Sequence, residues 1–138
     1  MTVIVSGTAR SGSSMISGII DILGIHMLTD VPQPHNLRQN CGKPHFELYA
    51  AQLIAEQISL GNKCSFSPIF DHNFKDWGLK LNIPKATKAF SEIMPDPHIV
   101  IICRNPVDNA KSYEMFKKTT SNNNTGLLTS FWEVTNQY

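Results

Sequence analysis

A β-branched run, Val3-Ile4-Val5, leads straight into a glycine-framed octet, Gly7-Thr8-Ala9-Arg10-Ser11-Gly12-Ser13-Ser14. A short unbroken apolar run that ends at a glycine reads as a strand buried on both faces. After Gly12, residues Met15, Ile16, Ile19, Ile20, Ile22 and Leu23 recur at helical spacing, and Gly24 supplies a stop. The chain therefore opens as strand, glycine loop and helix.

The Gly-x-x-x-x-Gly frame in this strand-to-helix setting is the arrangement that cradles phosphate. Glycine permits positive φ and close backbone approach, and a helix N-terminus directs free N–H groups at an anion. Arg10 adds a charge, while Ser11, Ser13 and Ser14 add hydroxyl donors around Gly12. The simpler alternative is a glycine turn that only packs helix on strand.

The same alternation continues along the chain. Residues 28–45 carry Pro32, Pro34, Gly42 and Pro44 and read as a long loop, and a helix is expected over Phe46–Leu60. Residues 61–75 read as irregular, and Trp77–Leu81 as a short strand. Pro84 suits the first turn of a helix bearing Ala86, Ala89, Phe90 and Ile93. Ile99-Val100-Ile101-Ile102-Cys103 is the clearest buried strand of the sequence. Asn105-Pro106 offers a cap and a first-turn proline for a helix through about Lys118. A polar loop over 119–125 and an amphipathic helix with Leu127, Leu128, Phe131, Trp132 and Tyr138 follow. Strands alternating with helices predict a three-layer α/β phosphate-loop fold with a parallel sheet.

Composition sets limits on function. The 138 residues suit one domain, and 41% apolar with 17% charged residues is a globular balance. A net charge of +1 provides no field to recruit nucleic acid or an anionic membrane, so any anion site must be local. No apolar run approaches the ~20 residues of a membrane span, and Met1–Ser6 lacks the basic head of a signal peptide. Cys41, Cys64 and Cys103, odd in number and widely spaced, read as reduced thiols of a cytoplasmic protein. The five histidines lack metal-ligand spacing, so no metal is expected.

Two parts needed to handle the γ-phosphate of ATP are absent. Ser13 stands where an ATP- or GTP-hydrolysing loop carries lysine, and the strand at 99–103 is followed by Arg104, not by a magnesium-binding aspartate. A small phosphate-loop kinase is disfavoured on both counts. Arg104 follows a buried strand and should emerge at the carboxyl edge of the sheet, where open α/β folds bind ligands. Ser112 lies two helical turns further on. Alternatively, Arg104 pairs with Asp108 as an ordinary surface salt bridge.

Together the two segments resemble the sulfotransferase family, nearest to its bacterial and carbohydrate-type members. Ala9-Arg10-Ser11-Gly12-Ser13-Ser14 is similar to the family's 5′-phosphosulfate loop. Arg104-Asn105-Pro106-Val107-Asp108-Asn109-Ala110-Lys111-Ser112-Tyr113 is similar to its 3′-phosphate motif. The resemblance implies 3′-phosphoadenosine 5′-phosphosulfate as donor, without a metal. Arg10, Ser11, Gly12, Ser13 and Ser14 would hold the 5′-phosphosulfate, and Arg104 and Ser112 the 3′-phosphate. The chain departs from the pattern at Ala9, where the family has proline, and at Met15, where cytosolic members place a tryptophan. The resemblance also implies later strands and a basic closing loop that follow the second motif, so a single domain lacking the family's C-terminal part is expected.

The resemblance offers two registers for a general base. Lys80-Leu81-Asn82-Ile83-Pro84 is similar to the Lys-x-His-x-Pro segment of cytosolic members, but Asn82 cannot accept a proton. Trp77-Gly78-Leu79-Lys80 and His45-Phe46-Glu47 are similar to segments of bacterial members, which makes Glu47 the base and Lys80 a stabiliser of the transferring group. Otherwise Glu47 is an acidic residue in a first helical turn, and Lys80 an ordinary surface lysine. The acceptor would be a hydroxyl or amine of a small molecule or carbohydrate. A non-catalytic nucleotide-binding module, or an inactive fragment, is the competing function. In the strand order this family implies, Thr2–Ser6 would also be left as an exposed sheet edge. That edge would invite self-association, or cover by a helix around Leu127–Tyr138.

Overall fold

The computed structural model describes residues 1–29 and 46–120, with the side chains of 116–120 excepted. It is an α/β structure built on a short parallel sheet. Four strands, β1 (Thr2–Gly7), β2 (His26–Met27), β3 (Trp77–Leu81) and β4 (Pro97–Ile102), lie in the order β2-β3-β1-β4. Helices α1 (Ser13–Ile22), α2 (Tyr49–Ser59), α3 (Thr87–Ile93) and α4 (Pro106–Thr120) connect or follow them.

Period-two alternation divides the strands between two cores. Ile4, Leu79 and Leu81 face a layer that contains Ala51, Ile54 and Ala55 of α2 and Phe90 of α3, with Phe66 edge-on to Phe90. Val3 and Val5 face the opposite way, against Ile16 and Ile20 of α1, with Met27 and Phe46. Helices thus flank both faces of the sheet. Pro84 opens a single 3-10 turn, Pro84–Ala86, which runs into α3, and Asn105 caps α4 through a bond from Val107 N–H to Asn105 Oδ1 at 2.9 Å.

The structure corrects several sequence expectations. β1 is not an edge: Val3 pairs with Gly78 on one side and His98 on the other, in parallel register. The strand that fills the expected vacancy is β3, which precedes the second motif instead of following it. The edges are β2 and β4. Correspondingly, β4 is not buried on both faces, since Ile99 and Ile101 are 44% and 64% exposed. Its apolar residues gave the strand signal, but only Val100 and Ile102 pack on a core. The helix expected over 126–138 and most of the 28–45 loop lie outside the described residues.

Two smaller corrections bear on the site. The apolar residues of α1 wrap most of its circumference, so Met15, Ile19, Ile22 and Leu23 are exposed, while Ser13 and Ser17 are buried. The second helix begins at Tyr49, not at Phe46. Phe46 has a φ of 53° and turns its ring into the core against Gly18. Residues 46–48 are consequently an irregular lead-in, and Glu47 is outside the helix.

Candidate active site

The glycine octet bridges β1 and α1 at the carboxyl edge of the sheet. Gly12 adopts a φ of 101° and stands at the N-cap of α1, a conformation that suits glycine. Arg10 also takes a left-handed conformation, with a φ of 67°, which is uncommon for a residue with a Cβ. Between them the Ser11 N–H donates to Thr8 O at 3.1 Å, closing a tight turn. The first N–H groups of α1 lack intrahelical acceptors by helix geometry and carry the positive end of its dipole.

Ser11 is buried, and its Oγ has no hydrogen-bond partner among the described residues. A buried hydroxyl left without a partner is costly, so a ligand oxygen in the loop would satisfy it. Gly7 is equally constrained. A Cβ there would lie 2.6 Å from Ser11 Oγ and within 3.2 Å of both the Cβ and the carbonyl oxygen of Ile102. Gly7→Ala is therefore expected to destabilise the protein by about 1–3 kcal/mol, through overpacking against a neighbouring strand. Urea titration would measure it, and an unchanged midpoint would show that the loop shifts freely.

Lys80 joins the loop to an acid. Alternation along β3 sends Trp77, Leu79 and Leu81 to one core and leaves Lys80 on the α1 side, where only 2% of it is exposed. Its Nζ donates to Glu47 Oε1 at 2.7 Å and to Ser14 Oγ at 3.0 Å. Burial pushes the Lys80 ammonium below the usual lysine range. The charge and hydrogen bond of Glu47 oppose that shift, and the nearby Arg10 adds to it. An ammonium disfavoured by the fold lowers stability while it is protonated in both states. Stability should accordingly rise with pH between the folded and the ordinary lysine pKa.

Glu47 is 38% exposed, so it faces solvent at the mouth of the site while Lys80 lies beneath it. Asn82 Nδ2 donates to the same Oε1 at 2.8 Å. Gln52 of α2 fixes the strand below, donating to Lys80 O at 2.8 Å and accepting from Asn82 N–H at 3.4 Å. The carboxylate is thereby held by two donors from β3 and the residue that follows it. The reading of Glu47 as a helix-terminus acid is overturned, as is that of Lys80 as a surface lysine.

The second motif reaches the loop from the other side. Arg104 is exposed and its Nη1 donates to Arg10 O at 3.0 Å, so the side chain of one predicted anion-binding arginine meets the backbone of the other. Among the described residues Arg104 forms no ion pair with Asp108. Ser112 is half-buried on α4, and no hydrogen bond joins it to Arg104. The structure thus gathers Arg10, Ser11, Gly12, Ser13, Ser14, Glu47, Lys80 and Arg104 at one edge, with Ser112 further along α4.

Sequence reasoning missed Gln52, Asn82 as an orienting residue, and the pair Thr8 and Asn109. Asn109 is wholly buried, with its amide 2.6 Å from Thr8 Oγ1. Its position within the second motif is one that the motif leaves unspecified, so no residue pattern marked it. His45 lies outside the described residues. Among those described, no three His, Cys, Asp or Glu side chains converge as metal ligands, and no helix is long and apolar enough to cross a membrane. Comparison with protein-family models, curated proteins and solved structures finds no match to this chain.

Proposed function

We propose that this protein is a sulfotransferase of the phosphate-loop fold, moving a sulfuryl group from 3′-phosphoadenosine 5′-phosphosulfate to a hydroxyl or amine acceptor. The observation that carries this reading is the Lys80 bridge, which ties Ser14 of the loop to the solvent-facing carboxylate of Glu47. A cation between an anion loop and a carboxylate suits sulfuryl transfer, because it stands where charge develops on the bridging oxygen. The transferring group passes from the loop side to an acceptor on the Glu47 side.

In this mechanism the loop N–H groups and Arg10 hold the 5′-phosphosulfate, and Arg104 and Ser112 hold the 3′-phosphate. An acceptor oxygen attacks sulfur in line. The new O–S bond forms as the sulfur–oxygen bond to the 5′-phosphate breaks, and the acceptor proton passes to the Glu47 carboxylate. Lys80 and the loop donors stabilise negative charge on the bridging oxygen as it leaves. Lys80 needs little movement to do so, because it already contacts Ser14 at the first turn of α1.

Calorimetry with 3′-phosphoadenosine 5′-phosphate, beside ATP with magnesium, tests the donor class. A sulfate-transfer assay on pooled hydroxyl acceptors then tests the activity. Arg10→Ala and Arg104→Ala should each weaken binding of the bisphosphate by roughly 1.5–3 kcal/mol, the size of a charge-assisted contact. Arg104→Ala should also abolish preference for a 3′-phosphate over a plain 5′-nucleotide. If that preference survives, the second motif has been misassigned.

A further inference from the structure

We propose that Asn109 is a positioning residue that clamps the phosphate loop in its binding shape from the core side of α4. Three observations converge on it. Asn109 is wholly buried, although asparagine seldom is. With the amide oriented by its surroundings, every neighbour is satisfied: Oδ1 accepts from the Thr8 hydroxyl at 2.6 Å, and Nδ2 donates to Ala9 O at 2.9 Å and Arg10 O at 3.1 Å. The third of these contacts meets the residue whose backbone is left-handed, Arg10, with a φ of 67°.

A non-glycine residue holds that conformation only where its surroundings impose it. Arg10 O accepts from Asn109 Nδ2 and also from Arg104 Nη1 at 3.0 Å, so two side chains of the second motif grip one loop carbonyl. The turn that this carbonyl fixes places Ser11 under the loop and Gly12 at the start of α1. The 3′-phosphate motif therefore does more than offer Arg104 to a ligand. It shapes the 5′ site through the backbone, so the two ends of the donor nucleotide are read by coupled parts.

The decisive measurement is amide exchange in the ligand-free 138-residue protein. Asn109→Ala removes two donors to the loop, each worth on the order of a few-fold to tenfold, and should speed exchange at the Ser11 N–H by at least about tenfold. Exchange at Ile4, in the centre of the sheet, should not change. Arg10→Gly, which accepts the left-handed conformation without help, should restore slow Ser11 exchange in the Asn109→Ala background. A residue that only supports the fold would accelerate Ser11 and Ile4 together and would not be rescued by glycine at position 10.

Thr8→Val provides a second variant should Asn109→Ala fail to fold. It removes only the hydroxyl that orients the amide and should speed Ser11 exchange in the same direction. Ser11 exchange that stays at the wild-type rate in the folded variants, or that moves only with Ile4, overturns the proposal. The binding arm rests on the donor reading above. Asn109→Ala should weaken 3′-phosphoadenosine 5′-phosphate about tenfold if the clamp shapes the site. A wild-type protein that ignores this nucleotide sinks the donor reading alone, and the exchange data still decide the clamp.

Discussion

Glu47→Gln is expected to lower sulfuryl transfer about 10²–10⁴-fold while leaving affinity for 3′-phosphoadenosine 5′-phosphate nearly unchanged. The amide can still accept at Oε1 from Lys80 and Asn82, so the local geometry should persist. What it cannot do is take the acceptor proton. The substitution also leaves the buried Lys80 ammonium facing a neutral group. The resulting loss of stability should be about 1–2 kcal/mol, less than for a wholly buried pair because solvent reaches the 38%-exposed Glu47. Initial rates and calorimetry on one preparation would separate these effects. Full activity in the variant, or a parallel collapse of nucleotide affinity, would remove Glu47 from the role of base.

Lys80→Met is expected to move activity and stability in opposite directions. Methionine nearly matches the lysine stem in length and carries no charge to desolvate. Burial is the largest influence on Lys80 and outweighs the attraction of Glu47, so replacing the ammonium should leave the melting temperature unchanged or raise it. Turnover should fall about 10²–10³-fold, as when one donor to a developing oxyanion is lost. Such a trade is the mark of a group retained for chemistry and not for folding. A variant that melts much earlier yet keeps its turnover would show that Lys80 serves the core.

The parts legible in the sequence were those governed by local rules. The β-branched run, the glycine frame and the Asn105-Pro106 cap each acted through their nearest neighbours and produced the element expected, while Pro84 opened a 3-10 turn ahead of its helix. What depends on distant partners was less legible. Ile99 and Ile101 look like core residues in the chain, but exposure at an edge strand is decided by what lies beside the strand. Phe46 reads as the start of a helix, yet its side chain packs at Gly18 and holds the backbone outside helical space. Asn82 was set aside as unable to act as a base, whereas its structural part is to hold the Glu47 carboxylate. No spacing rule along the chain would reveal a contact between residues 47 and 82, or between 8 and 109.

The central place of β1 also governs the order in which the chain can fold. Thr2 pairs with Trp77 and Pro97, residues made long after it, so the first strand has no neighbour while most of the described chain is still being assembled. At synthesis rates of about 5–20 residues per second, Val3, Ile4 and Val5 wait roughly 4–15 s before their first partners in β3 are made. Closing contacts at such separations is slow even once both strands exist. The glycine loop cannot take shape earlier, because its turn follows β1 and contacts Arg104 and Asn109. The residues of β1 are therefore made well before either of the strands that hold them in place.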